Sequence, residues 1–82
     1  MTGRDEVYAA IDREREHQRR KWGTLENKGH TVGEWLLVIE GELAEAKKAW
    51  TDAKGDEECL REIVQVAASA VACMEQHRPV GR

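Results

Sequence analysis

A chain of 82 residues, 40% of them apolar, has room for one domain with a modest core. Its 13 Lys and Arg are interspersed with 16 Asp and Glu for a net charge of −3, which argues against a dedicated nucleic-acid binder with its basic face. No apolar run is long enough to span a bilayer and no charged-then-apolar leader is present, so a cytoplasmic protein is expected, with no membrane partner.

The first predicted helix runs from near Thr2 to Trp22, with Thr2 and Asp5 at capping-box spacing. Val7, Ala10 and Ile11 form a short apolar face. Glu14, Arg15, Gln18 and Lys21 then occupy the positions that should continue it. That half of the helix is either solvated or lines a polar cavity in a bundle. Gly23 is a natural stop, and the segment to His30, with Asn27, Lys28 and Gly29, reads as a loop.

Thr31 begins the second predicted helix, with Glu34 completing a capping box. Trp35, Ile39, Leu43, Ala46 and Trp50 recur at helical spacing, a stripe for a core or a subunit interface. Gly41 within this helix suggests close backbone packing there. The helix should end near Ala53. Asp56 should cap a third helix that runs to about His77, just before Pro79.

Ile63 to Met74 in that third helix is apolar on nearly every side, which calls for burial nearly all round. Two partner helices are too few for that, so a second copy of the chain is expected to complete the bundle. Cys59 and Cys73 lie on the same helix, about 21 Å apart at about 1.5 Å per residue, and cannot pair with each other. They read as reduced, small apolar residues.

A polar stripe of Glu58, Glu62, Gln65 and Ser69 follows the same helix at intervals of four, three and four. Glu42 and Glu45 share one face of the second helix. The short turn between the helices makes them antiparallel neighbours, with Glu42 and Glu45 at the height of Glu62 and Gln65. Clustered carboxylates of this kind either hold a hard cation such as Mg²⁺ or Mn²⁺, or face solvent and pair with Lys47, Lys48 and Arg61.

Glu42-Leu-Ala-Glu45 followed by Glu62-Ile-Val-Gln65 resembles the paired ExxE and ExxD motifs of the MazG-like, all-α nucleoside triphosphate pyrophosphohydrolases. Glu14-Arg15, Gln18, Lys21-Trp22-Gly23, His30, Trp35-Leu36 and Val64-Gln-Val-Ala-Ala68 extend the likeness to the small phage and prophage type, over roughly residues 10 to 76. The resemblance implies a single all-α domain over residues 1 to 82, a three-helix protomer in a dimeric or larger bundle. It implies Mg²⁺-dependent cleavage of a ribo- or deoxynucleoside triphosphate to the monophosphate and pyrophosphate. Glu42, Glu45, Glu62 and Gln65 would then hold Mg²⁺ (Mn²⁺ being the other candidate), with Glu42 or Glu45 taking the water proton. Gln18, Lys21, Trp22 and Lys48 would meet the substrate. Trp22 either stacks on a base or packs the end of its helix. Gln65 stands where the family has Asp, and Gly41 where relatives often carry a further acid. The alternative is therefore a catalytically weak helical dimer that binds a nucleotide or a protein partner.

Overall fold

The computed structural model describes residues 2–82, the side chains of residues 27 and 28 excepted. Among the described residues it is all-helical, with four helices: α1 Arg4–Trp22, the single-turn α2 Leu25–Lys28, α3 Val32–Thr51 and α4 Asp56–His77. The three long helices are those predicted. α2 lies inside the segment read as a loop, where Leu-Glu-Asn-Lys closes one helical turn behind Thr24.

Two predicted caps move by one residue. α1 is capped by Gly3 with no side-chain bond, so Thr2 falls outside the helix and its hydroxyl does not bond the first turn. Asp56 is the first residue of α4, and Gly55 caps it with φ +94°, a conformation open chiefly to glycine. Asp56, Glu57 and Glu58 still complement the positive end of the helix. The Thr31 cap is as predicted: its hydroxyl accepts from the Glu34 N–H at 3.1 Å, and the Glu34 carboxylate accepts from the Thr31 N–H at 2.8 Å. Those bonds to Thr31 hold the Glu34 carboxyl below the usual carboxylate range.

α4 is the central helix, packed against both α3 and α1. The turn Asp52 to Gly55, with Ala53 at φ +55°, folds α4 back along α3. α1 runs parallel to α4. Val7 and Ile11 share a groove with Leu60, Ile63 and Val64 near one end, and Arg15 meets Glu75 near the other. The core is small-residued: Ala46, Ala49, Ala68 and Ala72 are buried, with Trp35 and Ser69. No helix among the described residues is long and apolar enough to cross a membrane.

Within one chain, α4 is not enclosed all round as its composition predicts. Ile63 is 48% exposed and Met74 43%. Trp50, at the end of the predicted apolar stripe, is 74% exposed and belongs to no core of this chain. A side-chain carbon at Gly41 would meet nothing within 4 Å, so the close packing expected there is absent from the protomer. Both cysteines are free and half-buried.

Candidate functional site

The polar half of α1 is not solvated on its inner side. Arg15 is 7% exposed, and its Nε and Nη2 donate to the two carboxylate oxygens of Glu75, each at 3.0 Å. Its Nη1 donates to Gln18 Oε1 at 3.0 Å, which turns Gln18 toward the bundle. The two-pronged bond holds the Glu75 carboxyl below the usual carboxylate range, in spite of partial burial.

A cleft of about 380 Å³ opens beside this tie. Gln18 and Trp22 line it from α1, His30 from the connection, Trp35, Val38 and Glu42 from α3, and Ser69 from α4. The His30 and Trp35 rings meet edge to face, with centroids 4.8 Å apart. Lys21 Nζ lies 4.8 Å over the Trp22 ring at the exposed rim, a cation–π contact. Aromatic walls and a polar floor suit a flat, partly polar ring.

Glu42 supplies that floor. Its Oε1 is buried and has no hydrogen-bond partner among the described residues. Burial pushes the Glu42 carboxyl above the usual carboxylate range; the neighbouring Ser69 hydroxyl pulls it back, and the charges of Glu14 and Glu62 push it further up. A carboxylate oxygen with no donor, and two more acids acting on it, is chemistry that a hard cation satisfies.

The expected level alignment of the motifs needs correction. Trp35 on α3 meets Gln76 on α4, and Glu42 meets Ser69, so seven residues forward on α3 match seven back on α4. On this register Glu45 stands opposite Val66, and Ala49 opposite Glu62. Glu62 therefore sits roughly one turn, about 6 Å, nearer the connecting turn than Glu45. The physical reason is that the interlock of Ala46, Ala49, Ala68 and Ala72, rather than distance from the turn, sets which residues face each other. Glu45 and Glu62 line a second cleft, of about 400 Å³, with Lys48, Asp52, Lys54 and Glu58. Gln65 is half-buried on α4 and lines neither cleft. Among the described residues, no three His, Cys, Asp or Glu side chains come together as a ready-made metal-ligand group.

Compared with known proteins, the chain matches no family model, no curated protein and no solved structure.

Several acids are engaged in surface pairs. Glu58 and Glu57 accept from Arg61 at 2.6 and 3.0 Å, as the solvent-facing alternative predicts. Lys48 Nζ donates to Asp52 at 2.7 Å, which holds its ammonium above the usual lysine range, with Glu45 adding to the effect. Of the proposed substrate contacts, then, Gln18 and Trp22 share the Glu42 cleft, Lys21 reaches its rim, and Lys48 belongs to the second cleft. Ser69, His30 and Trp35 line the Glu42 cleft from outside the predicted set, and the charge of Glu14 acts on Glu42. Ser69 was visible as the last member of the polar stripe. Glu14 was visible one turn before Gln18. Nothing in the apolar spacing of Trp35 shows that its edge faces a cleft.

Proposed function

We propose that this chain is a Mg²⁺-dependent nucleoside triphosphate pyrophosphohydrolase of the MazG-like kind, acting as a homodimer in the cytoplasm. The observation that carries the reading is the buried oxygen of Glu42, without a hydrogen-bond partner among the described residues and acted on by the charges of Glu14 and Glu62, at the floor of an aromatic cleft. Glu42 would hold the cation, the charges of Glu14 and Glu62 would favour it there, and water and phosphate oxygens would complete its shell. Bound Mg²⁺ would offset charge on the phosphoryl oxygens and make a water more acidic. Glu42 or Glu45 would take a proton from that water. Gln18, Trp22, His30 and Trp35 would receive the base. Glu45 and Lys48, one level down, would meet the far end of the triphosphate, and Gln65 would act through water rather than as a direct ligand.

The second copy of the chain would cover the open apolar face. Val7 and Ile11 on α1, Leu60 and Ile63 on α4, and Leu43 and Trp50 on α3 border two adjoining grooves that share Leu60 and Ile63. An isologous contact would bury them on both protomers. The alternative, a catalytically weak dimer that only binds a nucleotide or a protein partner, is favoured because no ready-made ligand group comes together among the described residues. Pyrophosphate release over a panel of ribo- and deoxynucleoside triphosphates, with Mg²⁺ and with chelator, separates the two. Release that chelation abolishes supports the enzyme; binding without release supports the alternative.

A further inference from the structure

Three consecutive residues at the end of α4 reach three different parts of the chain. Successive side chains on a helix point about 100° apart, so a run of three can serve neighbours on both sides. Glu75 ties α4 to Arg15 on α1. His77 Nε2 lies 2.7 Å from the His30 carbonyl oxygen and donates to it in the matching tautomer. Gln76, between them, accepts two bonds on one atom: the His30 backbone N–H at 3.1 Å and the Trp35 indole N–H at 2.9 Å. Two N–H donors on one atom identify it as the amide oxygen.

Gly29 shows how closely this amide is seated. Its backbone is ordinary, with φ −72°, so no left-handed conformation demands glycine there. A side-chain carbon at Gly29 would lie 2.5 Å from Gln76 Nε2 and 2.6 Å from the Leu25 carbonyl oxygen. The glycine is needed for close approach alone. Gln76 is thus gripped by the segment it holds.

His30 and Trp35 form the edge-to-face wall of the Glu42 cleft. We infer that Gln76 is a positioning residue: by fixing the His30 backbone and the Trp35 indole edge, it sets the aromatic wall against which a ligand's flat ring lies, and so sets affinity rather than the chemical step. The ligand side of this inference rests on the proposed function; the wall itself does not.

The test uses the full chain with Gln76→Leu, Gln76→Glu and Gly29→Ala. Leucine has a similar volume but leaves both donors unpaired. Glutamate keeps an acceptor oxygen in the same place. In ligand-free protein, nuclear magnetic resonance should show the Trp35 indole and His30 amide protons exchanging about tenfold faster or more in Gln76→Leu. Gln76→Glu should restore protection, and the backbone amides of the α3–α4 hairpin serve as the internal control. For whichever triphosphate the wild type cleaves with Mg²⁺, Gln76→Leu should raise KM by about tenfold with kcat within about twofold. Gly29→Ala should do the same from the other side of the contact, and Gln76→Glu should be close to wild type.

Unchanged exchange in Gln76→Leu overturns the wall. A loss of kcat at unchanged KM, or a Gln76→Glu variant as impaired as Gln76→Leu, overturns the positioning role. A wild type that neither binds nor cleaves any triphosphate removes the ligand side together with the proposed function, and the exchange result then decides the wall by itself.

Discussion

Replacing Glu42 by glutamine should make this protein more stable at neutral pH. The buried Oε1 has no donor among the described residues, and burial together with the charges of Glu14 and Glu62 outweighs the help of the Ser69 hydroxyl. A carboxyl whose folded pKa lies above its unfolded value binds protons more tightly in the folded state. It therefore lowers stability as pH rises from the ordinary value of 4.5 through the folded value, and the full penalty stands above that. An unpaired buried polar group costs about 1–3 kcal/mol, and more when charged. Glu42 is only partly enclosed, and solvent screening brings the expected gain on neutralising it to about 1 kcal/mol. For a domain of this size that is about 4–8 °C in Tm. Thermal melts followed by circular dichroism should show it near neutral pH, at one fixed protein concentration because association also shifts Tm. Below the ordinary carboxylate pKa both proteins are uncharged at this position, so the difference should vanish. Added Mg²⁺ should stabilise the wild type and not the variant. A Glu42→Gln protein less stable than wild type at neutral pH, or equally stabilised in acid, would refute the reasoning.

Glu75→Gln probes the opposite sign. Arg15 holds the Glu75 carboxyl below the ordinary range, so the charge contributes stability above pH 4.5 that is lost as pH falls through the folded value. The variant should be less stable than wild type at neutral pH, by about 1–2 kcal/mol after discounting for a Glu75 side chain 46% exposed. Urea melts should show the gap closing in acid. Ile63→Lys places a charge where the two apolar grooves meet, at a side chain 48% exposed in one protomer. The protomer should keep its helical signal while light scattering reports a monomer in place of a dimer; a wild type already monomeric at micromolar concentration would sink the assembly proposal.

The three long helices were legible because their apolar positions recur at helical spacing and because Gly23 and Gly55 mark the breaks, both at positive φ. Thr31 and Glu34 were legible because a capping box is a local pattern. Register was not. Which residue of α3 faces which residue of α4 depends on how Ala46, Ala49, Ala68 and Ala72 interlock, and equal spacing from a turn does not encode it. That is why Glu62 was placed a turn too high. Burial of Arg15 was equally hidden, since its partner lies 60 residues away. Periodicity marks Trp35 as inward-facing, but it carries no information about where the indole N–H points or that Gln76 receives it.

The two halves of the Glu42 cleft differ in how far apart their contacts lie along the chain. α3 and α4 form a hairpin closed by a short turn, while α1 is joined to α4 by contacts as distant as Arg15 and Glu75. Loop-closure entropy favours the hairpin forming first and α1 docking last, and docked last usually means released first. Undocking would carry Gln18 and Trp22 away while His30, Trp35, Glu42 and Ser69 stay with the hairpin. The cleft is then a seam that exists only while α1 is seated. A ligand bridging it would act as a clamp, and amide exchange along the second half of α1 should slow on binding by the same factor that undocking weakens affinity.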